Sequence, residues 1–475
     1  MKTAQGNGNA ASGANDYLAR LRAGQKLSPA QLCAMIVRLS LPAIMGQISM
    51  IIMQYIDASM VGSLGAGGSA AIGLVSSTTW LFGGLAMAVG MGFSVQCAQR
   101  TGAGDLDQAR NLVQTGMLFT LVFSLLIGCA GMTLARYLPV WLGGDPAICR
   151  DASSYFFIYA FFFTVERVNF TAGTFLQASG NMRTPGILHV MMCVLDVFFN
   201  ALLIFPGMDL PGGIRLPGLG LGVAGAALGT GLAKLCSMVL MLYWLYRRPG
   251  VLRMQERKRL RIQADQLRRA VKIALPVAVE NIIMNSAQIT STRIVAPLGT
   301  VSVAANSLSI TAESLCYMPG FGISAAGTTI IGQCIGARRK DLTRRTGWLV
   351  TGLGIAFMTG MGILLYIFAP YMLSFLSPDP DVIALGTKVL RIEAFAEPMY
   401  AAALASGGVM RGGGDTAVPA MLSLFSMWVI RIPLAVFLAP RMGLPGVWLA
   451  MRTELWIRGI LYLLRQAQGK YAGTG

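Results

Sequence analysis

Twelve stretches of apolar residues, separated by short polar segments, run through this chain. Each is about 20 residues or longer, the length at which an α-helix crosses the hydrocarbon core of a bilayer. The second stretch of each half is long and rich in glycine, so we expect it to bend or to include a short lateral piece. We predict membrane-spanning helices over residues 36–61, 68–98, 112–138, 152–178, 185–206, 221–246, 271–296, 302–333, 346–373, 383–408, 416–438 and 443–465.

The hydrophobic pattern occurs twice. The segment LSLPAIMGQISMIIMQYIDASMVGSLG (Leu39–Gly65) has the same frame as IALPVAVENIIMNSAQITSTRIVAPLG (Ile273–Gly299), and an offset of 234 positions joins Pro42 to Pro276. Each half contains six spans, so both halves enter the membrane from the same side and the pseudo-two-fold axis runs along the membrane normal. Transporters built in this way bind their substrate between the halves.

The charge pattern predicts the orientation. Lys and Arg are concentrated before the first span, in the central connection and in alternate loops, which the positive-inside rule places in the cytoplasm together with both termini. The predicted divisions are a cytoplasmic tail over residues 1–35, a first lobe over 36–246, a basic linker over 247–270 and a second lobe over 271–475. The first apolar run is too long for a signal peptide, so we expect it to remain as the first helix.

Composition supports a polytopic membrane protein. Of 475 residues, 55% are hydrophobic and 12% charged, whereas soluble domains carry about 25% charged residues. The net charge is +18, and the basic residues lie mainly between the apolar spans. This placement indicates the orientation of the spans and contact with anionic lipid, so we predict no nucleic-acid partner. The eight cysteines are scattered without CxxC spacing, which predicts neither a zinc site nor a disulfide framework.

Ionisable residues inside the spans are the candidates for function, because a charge at mid-membrane costs about 3 kcal/mol or more unless it has a partner or a water-filled cavity. In the first lobe, Asp57, Asp196, Asn200 and Thr230 fall at similar depth and predict one polar pocket. The sequence identifies no cationic neighbour for the two aspartates. Sheltered carboxylates of this kind suit a proton, and their oxygens equally suit a hard cation such as sodium.

The second lobe does not repeat this pocket. At the offset of 234, Asp57 corresponds to Ser291 and Asp196 to Ile430. The second lobe has its own ionisable residues, which we assign to a substrate site or a second coupling site: Glu280, Glu313, Glu397 and Arg431. Two structural alternatives remain open, an ion pair of Arg431 with Glu313 or Glu397, and a local pair of Glu166 with Arg167 in the first lobe.

The chain resembles the MATE (multidrug and toxic compound extrusion) transporters over residues 36–471. The resemblance is carried by LSLPAIMGQ, IDASMVGSLG, AAIGL, QCAQRTGAGD, ALPVAVEN, APLGTVSVAANSL, FGISAAGTTIIGQCIGA, RGGGDTAVP, RIPLAVFL and GVWLA. It implies an all-α polytopic protein with twelve helices in two pseudo-symmetric six-helix lobes. It also implies export of organic, often cationic, compounds in exchange for protons or sodium by alternating access.

The resemblance extends to particular residues. Asp57 has the spacing from Pro42 of the aspartate that takes part in cation coupling in the family. Asp196 and Asn200 match an Asn/Asp pair on the fifth helix with the two types swapped relative to many members, and Thr230 matches a threonine on the sixth. Glu280 resembles an acid on the seventh helix of members thought to use the second lobe.

These observations predict a secondary active exporter of the MATE type, acting as a monomer in a bacterial inner membrane. No enzymatic activity, cofactor or resident metal is expected; the coupling ion is a proton or sodium, with Asp57 and Asp196 as possible sodium ligands. The alternatives are a lipid-linked oligosaccharide flippase, which needs basic groups at depth, a membrane-embedded prenyl transferase, which needs a DDxxD-like motif, and a passive channel.

Overall fold

The computed structural model describes residues 12–22, 25, 27–210, 214–247, 252 and 261–473, and it is almost entirely helical. The helices are α1 (Ser12–Arg22), α2 (Pro29–Gly62), α3 (Ala66–Gly102), α4 (Leu106–Leu134), α5 (Leu138–Trp141), α6 (Pro146–Ala178), α7 (Arg183–Ile204), α8 (Gly222–Tyr246), α9 (Ala264–Val295), α10 (Thr300–Gly336), α11 (Lys340–Leu376), α12 (Pro380–Ala394), α13 (Glu397–Gly412), α14 (Ala417–Phe425), α15 (Ile432–Met442) and α16 (Leu444–Ala467). Two strands, β1 (Gly207–Leu210) and β2 (Ile214–Pro217), pair antiparallel between α7 and α8.

All twelve predicted spans are present, and the all-α fold with two six-helix lobes is confirmed; the β1–β2 hairpin is a small addition to it. The first lobe contains α2, α3, α4, α6, α7 and α8. The second contains α9, α10, α11, the pair α12–α13, the pair α14–α15, and α16. Length and composition alone qualify eight helices in the described part of the chain as membrane-spanning.

Two spans that the sequence predicts as continuous are interrupted. The tenth breaks between α12 and α13, just before Pro398, and the eleventh contains a π-helical turn over Ser426–Arg431, just before Pro433. Proline has no backbone N–H to donate within a helix, so the preceding turn rearranges. The second span of each half, α3 and α10, is one uninterrupted helix of 37 residues with no separate lateral piece.

The helix contacts reproduce the sequence repeat. In the first lobe α2 packs on α7, α3 and α4 both pack on α6, and α7 packs on α8. In the second lobe α9 packs on α14, α10 and α11 both pack on α13, and α15 packs on α16. Between the lobes, α2 crosses to α10 and α3 crosses to α9. Each lobe therefore presents its first two spans to the other lobe.

The lobes come into backbone contact where α3 and α10 end. A Cβ added to Gly102 would lie 2.2 Å from the Gln333 carbonyl oxygen, and one added to Gly336 would lie 1.8 Å from the Gln99 carbonyl oxygen. The offset of 234 converts each contact into the other, so the pseudo-two-fold axis passes through this point. The lobes are thus closed at the end that the charge pattern assigns to the cytoplasm.

Side chains reinforce this closure with the same symmetry. The Gln99 Nε2 donates to the Gly412 carbonyl at 3.1 Å, and the Gln333 Nε2 donates to the Ala178 carbonyl at 2.9 Å. Each glutamine therefore joins its own helix to the last residue of a helix in the opposite lobe, α13 for Gln99 and α6 for Gln333.

The short helix α1 lies across the same end of the molecule. Its Leu18 and Leu21 are fully buried. Arg22, at its last position, donates to the Gln333 Oε1 at 3.2 Å in the second lobe and to the Ser179 carbonyl at 3.3 Å in the first. Within the predicted tail and linker, residues 1–11, 23–24, 26, 248–251 and 253–260 lie outside the described part of the chain.

Candidate functional site

Three of the four residues predicted for the first-lobe pocket meet between α2 and α7. The Asn200 Nδ2 donates to the Asp57 Oδ1 at 2.7 Å and to the Asp196 Oδ2 at 3.1 Å. Asp196 and Asn200 lie one turn apart on α7, so they share a face, and both are fully buried. Asn200 therefore holds two carboxylates from different helices around one amide group.

Close packing of helices builds this group. A Cβ at Gly186 would lie 2.4 Å from the Pro42 carbonyl oxygen, so α7 approaches the backbone of α2 there. A Cβ at Gly229 would lie 2.1 Å from the Asn200 Oδ1, so the backbone of α8 packs against the Asn200 amide, which also contacts α2 and α7. Thr230 follows Gly229 directly, and its hydroxyl makes no hydrogen bond within the described residues.

Oxygen atoms at this site lack partners. The Asp196 Oδ1 and the Asn200 Oδ1 are both buried without a hydrogen-bond donor among the described residues. A buried oxygen without a donor is costly unless a proton or a cation satisfies it. The donor set of carboxylate and amide oxygens suits a proton or a hard cation such as sodium.

A second polar group, which sequence reasoning only partly identified, adjoins the first. The Lys234 Nζ on α8 lies 3.0 Å from the Glu166 Oε2 on α6. Arg167 contacts the other Glu166 oxygen and donates to the Gly83 carbonyl on α3 at 3.0 Å. The predicted local pair of Glu166 and Arg167 therefore forms, but as part of a three-membered group.

Lys234 also corrects an expectation about the aspartates. It is near enough to Asp57 and Asp196 for a charge–charge interaction with both, whereas the sequence had offered them no cationic neighbour. A signal was available, because Lys234 follows Thr230 by four positions and so occupies the same face of α8.

In the second lobe, buried acids converge where α10 approaches the break between α12 and α13. Glu313, Glu393 and Glu397 are each at most 6% exposed and are mutually close enough for charge–charge interaction. Neither oxygen of Glu393 or of Glu397 has a hydrogen-bond partner in the described chain. Sequence analysis identified Glu313 and Glu397 but overlooked Glu393, which lies one turn before Glu397.

Arg431 lies beside these acids on the π-helical turn. It interacts electrostatically with Glu313 and Glu393, but within the described residues it forms no ion pair, and its Nη2 contacts the Met451 Sδ at 2.9 Å. The structure thus places Arg431 near the acids without the ion pair that the sequence left open.

Arg431 also lines a small cleft that contains the counterpart of Asp57. Ser291, which occupies the equivalent position in the repeat, borders this cleft together with Gln288 and Asn306. The carboxylate of the first lobe is therefore replaced by a neutral hydroxyl in the second.

Glu280 belongs to a different group from the other second-lobe acids. Its Oε1 accepts a hydrogen bond from the Ser423 Oγ at 3.0 Å, and that hydroxyl also contacts the Tyr462 OH at 2.8 Å. Beside it, the Arg458 Nε lies 3.1 Å from the Glu454 Oε1 on α16, in an ion pair without hydrogen-bond alignment. This buried pair was not anticipated from the sequence.

The chain resembles known membrane transporters over most of its length. The family model MatE matches residues 42–202 and 276–437, which correspond to the two halves of the repeat. The chain is 25% identical over 445 residues to the probable multidrug resistance protein NorM of Thermotoga maritima, covering 92% of each chain. It is 23% identical over 450 residues to the multidrug resistance protein MdtK of Yersinia pestis, covering 90% of this chain and 94% of the relative.

Solved structures show the same fold. One is the outward-facing conformation of a multidrug resistance MATE family transporter of the MOP superfamily. It superposes with a TM-score of 0.87 at 19% identity and covers 96% of this chain and 98% of that chain.

Proposed function

Because this chain belongs to the MatE family of multidrug efflux transporters, we propose that it expels small organic, often cationic, compounds in exchange for protons or sodium. It is a multi-pass membrane transporter. In our proposal it works by alternating access in a bacterial inner membrane, with both termini in the cytoplasm. We propose a monomer because one chain contains both lobes.

The coupling ion binds in the first lobe. Asp57 and Asp196 supply charged oxygens, and Asn200 and Thr230 act as neutral ligands. The single observation that carries this assignment is the Asn200 amide, which joins carboxylates from α2 and α7 and leaves the buried Asp196 Oδ1 without a donor. A proton or sodium ion bound at that oxygen removes the free-energy cost of burying a carboxylate oxygen without a partner.

Coupling follows from the position of α2. This helix carries Asp57 and also packs on α10 of the opposite lobe, and the Tyr55 hydroxyl donates to the Thr311 carbonyl across that interface. An ion that pulls α2 toward α7 changes the lobe contact, and so it changes the balance between the two access states. Linkage requires that substrate binding alters ion affinity by the same factor.

The second lobe supplies the site for a cationic substrate or a second coupling ion. Glu313, Glu397 and Glu280 were proposed for it from sequence. We keep Glu313 and Glu397 and add Glu393, with Arg431 beside them, whereas Glu280 lies in the separate group with Ser423 and Tyr462. Buried acids outnumber buried basic residues in the described part of this lobe. That balance favours a cationic substrate over the phosphates that a lipid-linked oligosaccharide flippase handles.

The assignment is tested by export from cells. We expect Asp57→Asn to abolish resistance to a cationic drug while the protein is still made and inserted, because the neutral amide no longer binds a proton or cation in exchange. Ser291→Ala, at the symmetry-equivalent position in the second lobe, is the matched control and keeps wild-type resistance. Normal export by Asp57→Asn contradicts the first-lobe assignment.

A further inference from the structure

A stripe of polar side chains continues from the ion site along α6 and α8. Thr230, Lys234 and Ser237 lie on one face of α8, and the Ser237 Oγ donates to the Asn169 Oδ1 on α6 at 3.3 Å. Lys234 is the one cationic group on this face and is mostly buried, with 18% of its side chain exposed. Its ammonium contacts Glu166 at 3.0 Å and is near enough to Asp57 and Asp196 for a charge–charge interaction with both.

The two cations around Glu166 are held differently. The Arg167 guanidinium is fixed by the Gly83 carbonyl on α3 and lies 5.5 Å from the Phe163 ring centroid and 5.7 Å from that of Phe170. Lys234 has the Glu166 oxygen at 3.0 Å as its partner. A lysine is a point charge on a flexible stem, whereas a stacked arginine is rigid. Lys234 is therefore the cation that is free to change partner.

The charges of the whole group do not cancel. Asp57, Asp196 and Glu166 are three acids, and Arg167 and Lys234 are two basic groups. With all five ionised the group carries one uncompensated negative charge, which a proton or a monovalent cation on the aspartates removes. Buried charges in a membrane are stable only when balanced. One monovalent cation completes the balance, and a second produces an excess of positive charge.

We propose that Lys234 is a tethered cation that competes with the coupling ion for Asp57 and Asp196 and limits the site to one monovalent cation. In the ion-bound state of this proposal, Lys234 pairs with Glu166. When the ion leaves, the ammonium turns toward the aspartates and neutralises part of their charge. Lys234 is thus a specificity-determining residue whose competition speeds ion release. This inference rests on the proposed function of the same site.

Other ionisable groups face this assembly. Tyr155 on α6 interacts with both aspartates, Tyr159 on α6 interacts with Arg167, and Cys193 on α7 interacts with Asp196. None of these is cationic, so among the described residues that face this cluster Lys234 and Arg167 are the basic groups that set its charge.

Three variants separate this role from a structural one. Lys234→Met removes the competing cation and leaves one more negative charge, so we expect the coupling cation to bind about tenfold or more tightly and transport to slow at release. Glu166→Gln frees Lys234 to occupy the aspartates, so we expect cation affinity to fall by a similar factor. The double variant restores the charge balance and should return affinity to within about threefold of wild type. Lys388→Met, an exposed lysine on α12, is the control.

The readout is the half-saturating concentration of protons, and separately of sodium, for driven export of a cationic dye from proteoliposomes. The same titrations are followed by the melting temperature of the purified protein, which reports ion binding without transport. Opposite shifts in the two single variants, cancelled in the double variant, support the proposal. Shifts in the same direction, no shift, or a double variant worse than either single variant overturn it.

Failure of this inference is distinguishable from failure of the proposed function. If the wild type exports dye with an ion gradient but Lys234→Met leaves the ion dependence unchanged, only the role of Lys234 is wrong. If the wild type shows no ion-driven export, the proposed function fails, and the melting titrations still decide whether Lys234 competes for the cation.

Discussion

At the scale of single residues, the Asn200 side chain is the centre of the account. Its amide nitrogen serves two carboxylates, while its oxygen faces the backbone of α8 at Gly229. The site therefore depends on the position of one amide as well as on the two charges. A change that moves the amide without altering any charge tests whether this geometry matters.

Gly229→Ala is that change. Its Cβ would lie 2.1 Å from the Asn200 Oδ1, so the amide must leave the position from which it donates to both aspartates. We expect ion-driven dye export to fall by about tenfold or more, since small displacements at a functional site carry large losses in rate. The measurement is the initial export rate in proteoliposomes. Gly352→Ala, where a Cβ meets open space, is the control, and equal rates for the two variants contradict the account.

A buried charge can also be purely structural. Glu454 and Arg458 on α16 are 0% and 5% exposed and lie 3.1 Å apart. We expect Arg458→Met to destabilise the protein by about 3 kcal/mol, because it leaves Glu454 buried without its cation. Adding Glu454→Gln should recover much of that loss. Thermal unfolding of the purified protein measures both, and a single variant as stable as wild type refutes this assignment.

Individual site residues were only partly predictable from sequence. Asp57, Asp196 and Asn200 could be placed together because their depth in the membrane follows from helix orientation and their spacing from the helical period. Lys234 and Glu393 were overlooked, because whether an intramembrane charge has a partner depends on which helix faces it. That information lies in contacts between residues far apart in the chain, such as Lys234 with Glu166.

At the scale of helices, hydrophobic length and the repeat were enough to predict every span. The interruptions at Pro398 and Pro433 were not predicted, since a proline in an apolar run leaves open whether the helix kinks, breaks or forms a π turn. The crossing of α3 and α10 was also beyond sequence reasoning. The repeat makes Gly102 equivalent to Gly336 and Gln99 equivalent to Gln333. It does not show that these residues contact one another.

This crossing gives a prediction for the helices. A Cβ at Gly336 would lie 1.8 Å from the Gln99 carbonyl oxygen, so Gly336→Ala cannot keep the lobes in contact at this end. We expect a larger fraction of molecules to be open toward the cytoplasm and transport to fall severalfold. A cysteine introduced near this crossing should react faster with a thiol reagent added to the cytoplasmic face of inverted vesicles.

The control for this variant is Gly360→Ala, a glycine of α11 where an added Cβ meets no neighbour. It should leave both transport and labelling unchanged. A Gly336→Ala protein that labels at the wild-type rate shows that the crossing does not hold the lobes together.

At the scale of the whole molecule, α1 forms hydrogen bonds with both lobes at the closed end. Arg22 donates to Gln333 in one lobe and to the Ser179 carbonyl in the other. Because opening of the lobes at this end must separate these two acceptors, the contact favours the closed state. The sequence assigned this segment to the cytoplasmic tail over residues 1–35 but did not indicate that it joins the lobes.

Arg22→Ala should therefore shift the balance toward the state that is open to the cytoplasm. We expect the labelling rate of a cysteine on this side to rise about tenfold, since a hydrogen bond from a charged group contributes about 1.5–3 kcal/mol. Arg20→Ala on the exposed side of α1, where the side chain pairs with Asp16 at 3.1 Å, is the matched control. Equal labelling rates for the two variants contradict the claim that the Arg22 hydrogen bonds hold the lobes together.

The central claim is that exchange of a cation at Asp57 and Asp196 drives export. Its most direct test is transport of a cationic dye by the purified protein in proteoliposomes, with proton and sodium gradients imposed separately. We expect one of the two gradients to drive the dye uphill in the wild type, and neither to do so when Asp57 and Asp196 are both changed to Asn. Dye movement that only dissipates its own gradient, or uphill export that survives the double change, contradicts it.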